Sequence, residues 1–382
     1  NDRRKQLFEN IWPLPNGVSY NSYLIRDEKC ALMDTVESGS DRSYADWVSE
    51  SLDGRPLDYL IIHHMELDHS GEIENLVQRY PDVKIVGNCK TFRVLEAYFG
   101  KRDNLIEVKD GDTLSLGYHN LKFVFTPWVH WPETMMTFDE TDGVLFSGDG
   151  FGCFGTVDGG FLDTRINLDK YWGEMVRYYS NIVGKYGSPV QKALQKLGGL
   201  PISAICSTHG PVWTENIARV IGIYDRLSRY DADEGVVIAY GSMYGNTEQM
   251  AEAIAEELSA QGIKNIVMHN VAKSHPSYII ADIFRYKGLI IGSPTYSNQI
   301  FPEVEALLSK ILLREVKGRY LGYFGSFTWA GAAVKRLAEF AEKSKFELVG
   351  DPVEMKQAMK DLTYTQCENL ARAMADRLKK DR

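Results

Sequence analysis

The chain has 382 residues, of which 44% are hydrophobic and 25% charged, and its formal net charge is −9. This length predicts two domains, each large enough to bury a core, and the composition is typical of a globular protein. The negative charge argues against nucleic acid as a general partner. No apolar run approaches the length of a membrane span, and the N-terminal residues show no secretory signal. We therefore expect a cytoplasmic protein that binds neither nucleic acid nor membrane.

The cysteines are few and dispersed. They show no Cys-x-x-Cys pair, so these 382 residues contain no rubredoxin-type or other iron–sulfur module. An odd, scattered set is typical of reduced cytoplasmic thiols. The five are Cys30, Cys89, Cys153, Cys206 and Cys367.

The first part of the chain, to about residue 230, alternates short strand-like runs with loops. Residues 31–34, 84–87 and 120–126 have the composition of strands, and residues 217–228 have the pattern of a helix. The polar run 229–234 is the predicted linker. We accordingly predict a first domain over residues 1–232 and a second over residues 235–382.

A segment rich in histidine and acidic residues directly follows the apolar run 60–62. It places His64, Glu66, Asp68 and His69 at relative positions 1, 3, 5 and 6. Alternate residues of an extended backbone point the same way. A strand that opens into a loop here would aim the first three side chains into one pocket, with His69 at the start of the next helix. The spacing predicts ligands for two adjacent metal ions.

Three more candidate ligands follow, each after an apolar, strand-like run: His130, Asp149 and His209. Loops at strand ends collect to build sites, and a carboxylate such as Asp149 can bridge two metals because it has one oxygen for each. A single histidine beside a strand is more often a hydrogen-bonded structural residue. An ordered set of four histidines and three acids favours a metal centre instead. His63, which is out of phase, is expected to support the site or to be structural.

From Gly235 the pattern changes to strict alternation of strands and helices. Near-continuous apolar runs separated by helical stretches indicate a parallel sheet covered on both faces. The predicted strands lie at residues 236–240, 266–268, 288–292 and 319–324, and an amphipathic helix lies at 247–258.

The turn between the first strand and helix of this part is rich in hydroxyl and amide groups. Its residues are Ser242, Met243, Tyr244, Gly245, Asn246 and Thr247. Backbone N–H groups at a helix N-terminus make such a turn a cradle for an anion. It lacks the Gly-Lys-Ser/Thr ending of a nucleoside-triphosphate loop and does not match the dinucleotide motif. A hydroxyl-rich loop without lysine suits a terminal monophosphate. It resembles the phosphate loop of flavodoxins, which implies flavin mononucleotide (FMN) as the ligand.

Two further loops are predicted at the carboxyl ends of the third and fourth strands, where open α/β sheets bind ligands. Backbone groups there could reach the polar edge of the flavin, and Tyr296 or Trp329 could pack near its face. Each aromatic residue by itself could equally fill a core. The predicted contacts are Pro294, Thr295, Tyr296, Ser297, Asn298, Ser326, Phe327, Thr328, Trp329 and Gly331.

The first motif resembles the metallo-β-lactamase signature His-x-His-x-Asp-His, except that Glu66 replaces the second histidine of the hydrolases. A carboxylate hardens the site and shifts the expected metal from zinc toward iron or manganese. Such a domain followed by a flavodoxin-like domain resembles the flavodiiron proteins (A-type flavoproteins) over essentially the whole chain. The resemblance implies an α/β fold: an N-terminal metallo-β-lactamase-like αββα sandwich and a C-terminal flavodoxin-like doubly wound parallel sheet.

The resemblance also implies a ligand set for two irons. One iron would be held by His64, Glu66 and His130, the second by Asp68, His69 and His209, with Asp149 bridging them. Some members carry a histidine in the loop that follows the bridging acid. Residues 150–155 contain none, so this loop leaves substrate preference open.

The function implied is reduction of dioxygen to water, of nitric oxide to nitrous oxide, or of both, and we expect dioxygen to be preferred. A reduced flavin and two ferrous ions together hold the four electrons that dioxygen requires, and the cofactors carry this chemistry. The resemblance further implies a head-to-tail homodimer, or a tetramer, that brings one chain's flavin to its partner's irons. A separate rubredoxin or flavin reductase would supply electrons.

Two other functions fit parts of the pattern. A zinc hydrolase tethered to a flavodoxin-like domain is disfavoured by Glu66, and metal content would distinguish it. A pure electron carrier with a scaffold as its first domain is disfavoured by the complete ligand set. Replacing His64 or His209 would leave the carrier's activity unchanged and abolish the enzyme's.

Overall fold

The computed structural model describes residues 1–39 and 44–381. The chain divides into two compact units, Asn1–Ser228 and Arg229–Arg382. The predicted helix at 217–228 is present and ends the first unit. The polar linker is shorter than predicted, because the first strand of the second unit begins at Asp233. None of the helices in the described residues is long and apolar enough to cross a membrane.

The described residues of the first unit form two five-stranded sheets and a short hairpin. The hairpin consists of β1 (Leu7–Phe8) and β2 (Trp12–Pro13). The first sheet contains, in spatial order, β3 (Tyr23–Arg26), β4 (Cys30–Met33), β5 (Tyr59–Ile61), β6 (Lys84–Gly87) and β7 (Leu105–Glu107). The second contains β8 (Thr113–Ser115), β9 (Asn120–Phe125), β10 (Met135–Asp139), β11 (Val144–Gly148) and β12 (Ala204–Ser207), again as neighbours in that order.

The two sheets pack face to face. Ala31, Met33 and Ile61 of the first sheet share one buried cluster with Phe123 and Phe146 of the second. Successive side chains of a strand point to opposite faces, so the alternate residues of β4 and β5 face away from the second sheet. This alternation places a second layer of apolar side chains under the helices.

Helices cover the outer face of the first sheet. Val48, Leu76 and Leu95 pack there against Leu32 and Leu60. The helices of this unit are α1 (Tyr44–Leu52), α2 (Leu67–Ser70), α3 (Ile73–Arg79), α4 (Cys89–Phe99), α5 (Asp169–Tyr178), α6 (Gly187–Leu197) and α7 (Ile217–Ser228), and a π-helical turn at Tyr179–Val183 directly follows α5.

The second unit is built on one sheet with the spatial order β14, β13, β15, β17, and both β18 and β19 pair with β17. These neighbours are all parallel, and β16 forms an antiparallel pair with the end of β15. The strands are β13 (Asp233–Tyr240), β14 (Ile266–Asn270), β15 (Tyr286–Tyr296), β16 (Gln299–Ile300), β17 (Tyr320–Phe327), β18 (Glu347–Leu348) and β19 (Val353–Lys356).

Helices lie on both faces of this sheet. On one face Met250 and Ile254 pack with Leu370 and Met374, because apolar residues recur every three or four positions in both helices. The helices are α8 (Asn246–Ala260), α9 (Pro276–Arg285), α10 (Pro302–Arg314), α11 (Ala333–Ser344) and α12 (Asp361–Lys379).

Strands β15 and β17 are longer than the sequence predicted. Pro294 pairs with Ser326, so the parallel ladder continues beyond the apolar runs. Thr295 and Tyr296 pair with β16. The prediction of loops over residues 293–296 and 325–327 was therefore wrong, because backbone pairing extends past the last apolar residue. The affected side chains still lie at the carboxyl edge of the sheet.

Candidate functional site

The structure brings the seven candidate metal ligands together at one buried site of the first unit. Glu66 has extended backbone (φ −62°, ψ 143°) and α2 begins at Leu67. Extended backbone therefore orients His64 and Glu66, as predicted, whereas a helical turn orients the next two side chains. The contributing segments are the β5–α2 loop with α2 (His64, Glu66, Asp68, His69), the β9–β10 loop (His130), the end of β11 (Asp149) and the loop after β12 (His209).

One group of ligand atoms surrounds a point where a first metal ion would sit. The Nε2 atoms of His64 and His130 lie 3.2 and 3.1 Å from Oε2 of Glu66. Asp149 Oδ2 lies 3.2 Å from His130 Nε2 and 3.6 Å from His64 Nε2. Two imidazoles and two carboxylates therefore converge where one ion would sit.

A second group of ligand atoms surrounds a neighbouring point where a second metal ion would sit. Asp68 lies 3.3 Å from His69 Nε2 through Oδ1 and 3.2 Å from His209 Nε2 through Oδ2. Asp149 Oδ1 lies 2.8 Å from His69 Nε2 and 3.5 Å from His209 Nε2. The two oxygens of Asp149 thus serve different groups, which is the arrangement of a bridging carboxylate.

Buried acceptors orient the ligands from behind. His64 Nδ1 donates to Glu133 Oε1 at 2.8 Å, and His209 Nδ1 donates to the Ser19 carbonyl at 2.8 Å. Because carbonyl and carboxylate oxygens only accept, each Nδ1 carries the proton and each Nε2 is left for a metal. Thr208 Oγ1 donates to Asp149 Oδ1 at 2.8 Å. These partners fix the direction of the ligands.

Sequence reasoning missed Glu133, Ser19 and Thr208, and it also missed Glu9 in the β1–β2 turn. Desolvation and the negative charge of Glu66 raise the pKa of Glu9 to about 7, while Trp12 Nε1 donates to Glu9 Oε2 at 2.9 Å. Glu133 and Thr208 had a local signal, because Glu133 lies three residues after His130 and Thr208 directly precedes His209. The other residues are brought to the site by the fold.

His63 faces away from the candidate ligands. Its Nδ1 lies 2.5 Å from Asp34 Oδ2, and its Nε2 lies 2.7 Å from Thr137 Oγ1. Both ring nitrogens are thus occupied, which leaves neither for a metal. His119 lies in the turn between β8 and β9, where its Nδ1 is 2.9 Å from Asp139 Oδ2.

The second unit contains a cavity of about 400 Å³ at the carboxyl edge of its sheet. This volume is in the range of small-molecule sites. All but two of the predicted flavin contacts line it, and Ala330 and Gln357 line it without having been predicted. The lining residues are Ser242, Met243, Tyr244, Asn246, Thr247, Pro294, Thr295, Tyr296, Ser297, Asn298, Ser326, Phe327, Thr328, Trp329, Ala330 and Gln357.

Gly245 and Gly331, also predicted as contacts, do not line the cavity. Gly245 takes φ +92° in the turn before α8, a conformation that a side chain would strain. A Cβ atom at Gly331 would lie 2.6 Å from Glu354 Oε1, so that position faces Glu354. Both glycines shape the loops around the cavity.

The cavity has a polar end and an aromatic rim. At the polar end α8 begins without a side-chain cap, so its first N–H groups are available to an anion. Thr247 Oγ1 lies 2.9 Å from Ser326 Oγ beside them. At the rim Tyr244 is 91% and Trp329 84% exposed. Large exposed aromatic side chains beside an anion cradle suit a flat ring that carries a phosphate.

Comparison with known proteins identifies both parts of the chain. Residues 18–210 match a family model described as ODP family beta lactamase, and residues 238–369 match the Flavodoxin model. The chain is 32% identical over 337 residues to the anaerobic nitric oxide reductase flavorubredoxin of Escherichia coli, covering 87% of this chain and 70% of that protein.

Solved structures agree. Rubredoxin oxygen:oxidoreductase from Desulfovibrio gigas is 31% identical with a TM-score of 0.94, covering 98% of this chain and 94% of that one. The flavodiiron protein from Giardia intestinalis is 25% identical with a TM-score of 0.90, covering 99% of this chain and 94% of that one. The chain belongs to the flavodiiron protein family. The predicted fold class, a metallo-β-lactamase-like domain followed by a flavodoxin-like parallel sheet, is confirmed.

The site of this flavodiiron protein fits metal ions on its own evidence. Both carboxylate oxygens of Asp68 and the Nε2 atoms of His69 and His209 are buried without a satisfactory hydrogen bond among the described residues. Buried polar atoms are normally paired, and a bound ion is one reason for an exception. Metal ions at the two points would give all of these atoms a partner.

Without metal, the carboxylates favour protonated imidazoles. Burial lowers the pKa of each ring, but the hydrogen bonds that His64 donates to Glu133 and Glu66 raise its pKa to about 10. Asp149 and Glu66 likewise raise the pKa of His130 to about 10, and Asp149 and Asp68 raise the pKa of His69 to about 9. The metal-free site therefore holds these rings as cations at neutral pH.

Metal affinity is expected to rise with pH between about 6 and 9, because a metal must displace the protons from His64, His69 and His130. Lowering the pH favours the protonated rings and weakens binding. Anaerobic calorimetric titration of the metal-free protein with ferrous ion, in buffers of different ionisation enthalpy, measures the protons released. Equal affinity at pH 6 and pH 8 would contradict this.

Glu133→Gln is expected to lower metal affinity roughly 10- to 100-fold, since it weakens the acceptor that orients His64. The amide oxygen can still accept the hydrogen bond, so the loss reports the charge. Iron content after dialysis at graded free-metal concentrations measures it. Glu140→Gln, at the exposed turn after β10, is the matched control and should bind iron normally.

Proposed function

We propose that this flavodiiron protein reduces dioxygen to water, with reduction of nitric oxide to nitrous oxide as a companion activity, at a diiron centre supplied with electrons by FMN. The observation that carries the proposal is the division of the two Asp149 oxygens between two ligand groups. The similar proteins named above are an oxygen oxidoreductase and a nitric oxide reductase, which supports both gases as substrates.

Iron is proposed over zinc because of the donor atoms. Counting the shared Asp149, each group offers two imidazoles and two carboxylates. Oxygen-rich sites favour harder metals than the histidine-rich sites of zinc hydrolases. When bound, two irons would supply electrons and hold the gas. His64, Glu66 and His130 would hold one, Asp68, His69 and His209 the other, with Asp149 between them.

The surrounding side chains suit a small apolar gas. Phe8 packs edge-on against His209 at 5.2 Å between ring centroids, and Trp131 packs against His64 at 5.1 Å. Aromatic walls exclude water and strengthen the electrostatic interactions inside. Desolvation raises the pKa of the Glu9 carboxyl, to about 7 in the metal-free site, so this group can hold or release a proton near neutral pH. The protons consumed in making water could pass through this group.

FMN is proposed as the ligand of the second-unit cavity. The uncapped N-terminus of α8, with Ser242 and Asn246, would hold a terminal phosphate. Trp329 and Tyr296, both exposed at the rim, would cover the flavin ring. A monophosphate with a flat ring satisfies both ends of the cavity.

Electrons are proposed to arrive from a separate rubredoxin or flavin reductase in the cytoplasm, because these 382 residues lack a Cys-x-x-Cys module. The relative from Desulfovibrio gigas is named for rubredoxin. We also propose a head-to-tail homodimer in which the flavin of one chain serves the irons of its partner.

Complementation tests the dimer. His64→Ala disables the metal site and Asn246→Asp the flavin site, so each homodimer is expected to be inactive. Mixed dimers of the two are expected to recover activity, since each contains one intact flavin facing one intact metal site. Gas consumption after the two variants are exchanged under mild dissociating conditions measures it. No recovery in verified mixed dimers would contradict the arrangement.

The proposed reaction is tested with protein purified anaerobically, loaded with iron and FMN, and reduced through a rubredoxin system. Electrodes follow dioxygen and nitric oxide in separate runs. Rapid dioxygen loss without hydrogen peroxide is the expected result. Zinc without iron in the protein as purified, before any metal is added, would favour the hydrolase. Gas consumption unchanged by His64→Ala would favour the electron carrier.

A further inference from the structure

A series of aromatic side chains extends from a metal ligand through the interior of the first unit. The Tyr178 ring lies 5.7 Å from the His209 ring, between centroids. The next residue, Tyr179, lies 5.0 Å from Tyr224, which lies 4.9 Å from Phe151. None of these four side chains is more than 2% exposed. The series therefore runs through buried, water-free surroundings.

Two stacked indoles continue the series to the surface. Trp213 Nε1 donates to the Phe151 carbonyl at 3.2 Å. The Trp213 ring stacks on Trp172 with centroids 5.4 Å and planes 25° apart. Trp213 is fully buried, whereas Trp172 is partly exposed. The series thus begins at the metal site and ends at solvent.

These tyrosine and tryptophan side chains have redox and polar groups that packing alone does not require. Tyrosine and tryptophan are the aromatic side chains that most readily give up an electron, because a phenol or indole proton can leave with it. The Tyr178 hydroxyl is buried without a hydrogen-bond partner among the described residues. Phenylalanine would fill the same space without burying an unpaired hydroxyl.

We propose that Tyr178, Tyr179, Tyr224, Trp213 and Trp172 form a path that delivers single electrons to the metal site when the flavin is oxidised. The inference rests on the proposed dioxygen reduction. Two ferrous ions supply only two of the four electrons that dioxygen needs, so a molecule bound without reduced flavin remains two electrons short. The path moves the resulting oxidation from the buried ligands to Trp172 at the surface.

Trp172 loses one electron to the oxygen substrate and its indole N–H proton to solvent, and becomes a neutral radical. A solvent thiol restores it by giving a hydrogen atom. A second, identical transfer supplies the last of the four electrons that dioxygen needs. Beyond the two indole protons already released, two further protons come from solvent to make water. The two thiyl radicals combine as a disulfide. The Arg219 guanidinium, 3.7 Å from the Trp172 ring, disfavours a radical cation and so couples electron loss to proton loss.

Iron-loaded protein with ferrous metal and oxidised FMN is given one pulse of dissolved dioxygen. Oxygen uptake is recorded, frozen samples are examined by electron paramagnetic resonance, and peptides are analysed for oxidised tryptophan. An aromatic radical is expected, with several-fold more oxidation at Trp172 than at Trp47, a 49% exposed residue of α1 that lies off the path. Fully reduced flavin should suppress both signals.

Substitutions along the path test whether the electrons follow it. Trp213→Phe should remove the excess oxidation at Trp172, and Trp172→Phe, at a partly exposed position, should shift the radical to an inner ring without affecting folding. Arg219→Gln should increase oxidation at Trp172. Oxygen uptake with no radical, or with Trp172 and Trp47 oxidised equally, would overturn the path and leave the proposed function standing. Oxygen uptake with reduced flavin only would also overturn the path, and no oxygen uptake in either flavin state would overturn both.

Discussion

Asp149→Asn is expected to abolish gas reduction and to lower iron affinity by more than about 100-fold. Asparagine has only one acceptor oxygen. Its amide nitrogen would therefore point an N–H donor at one of the two ligand groups, where Asp149 offers a carboxylate oxygen. Substitution of a residue that only hydrogen-bonds to a metal ligand already lowers metal affinity roughly 10- to 100-fold. Loss of the ligand shared by both metals should lower it more. Iron content by elemental analysis and gas consumption by electrode measure the effect.

Two controls accompany this variant. Asp142→Asn, an exposed acid shortly before β11, should keep full iron content and activity. FMN content of Asp149→Asn should also stay normal, because the flavin cavity lies in the second unit. An Asp149→Asn protein that holds two irons per chain at normal affinity would show that the carboxylate does not bridge them.

Asn246→Asp is expected to lower FMN affinity on the order of 100-fold. The change adds a negative charge at the first residue of α8, where the phosphate of FMN would bind. Like charges a few ångströms apart repel by roughly 1–4 kcal/mol at the dielectric of a protein surface, and 1.4 kcal/mol is a factor of ten. Quenching of FMN fluorescence during titration of the flavin-free protein gives the affinity.

The same substitution should not destabilise the fold, because an acidic residue is favourable in the first turn of a helix. Asn369→Asp, on the exposed side of α12, makes the identical chemical change away from the cavity and should leave FMN affinity unchanged. Normal FMN binding by Asn246→Asp would place the phosphate elsewhere than at this turn.

The ligands that lie close in sequence were predictable because local backbone geometry orients them. The spacing of His64 and Glu66 predicts a shared pocket, and the extended backbone at Glu66 produces it. Asp149 and His209 were predictable because each follows an apolar strand, and the strands β11 and β12 lie side by side in one sheet. Parallel neighbours bring their carboxyl ends to the same edge.

The supporting residues were not predictable, because their roles depend on contacts between distant segments. Ser19 reaches His209 through its backbone carbonyl, across 190 residues of sequence, and a carbonyl has no sequence signal. Gln357 follows β19 and joins the flavin cavity only because that strand pairs with β17. Hydrophobic patterns indicate which residues are buried, but they do not indicate which strands become neighbours.

A single turnover tests most directly whether the iron pair and FMN together reduce dioxygen to water. Protein with two ferrous irons and reduced FMN is mixed with substoichiometric dioxygen, and the oxidation of flavin and iron is followed by absorption together with any peroxide. We expect four electrons to be consumed per dioxygen, drawn from both cofactors, and no peroxide. Two electrons per dioxygen with stoichiometric peroxide, or flavin oxidation without iron oxidation, would contradict it.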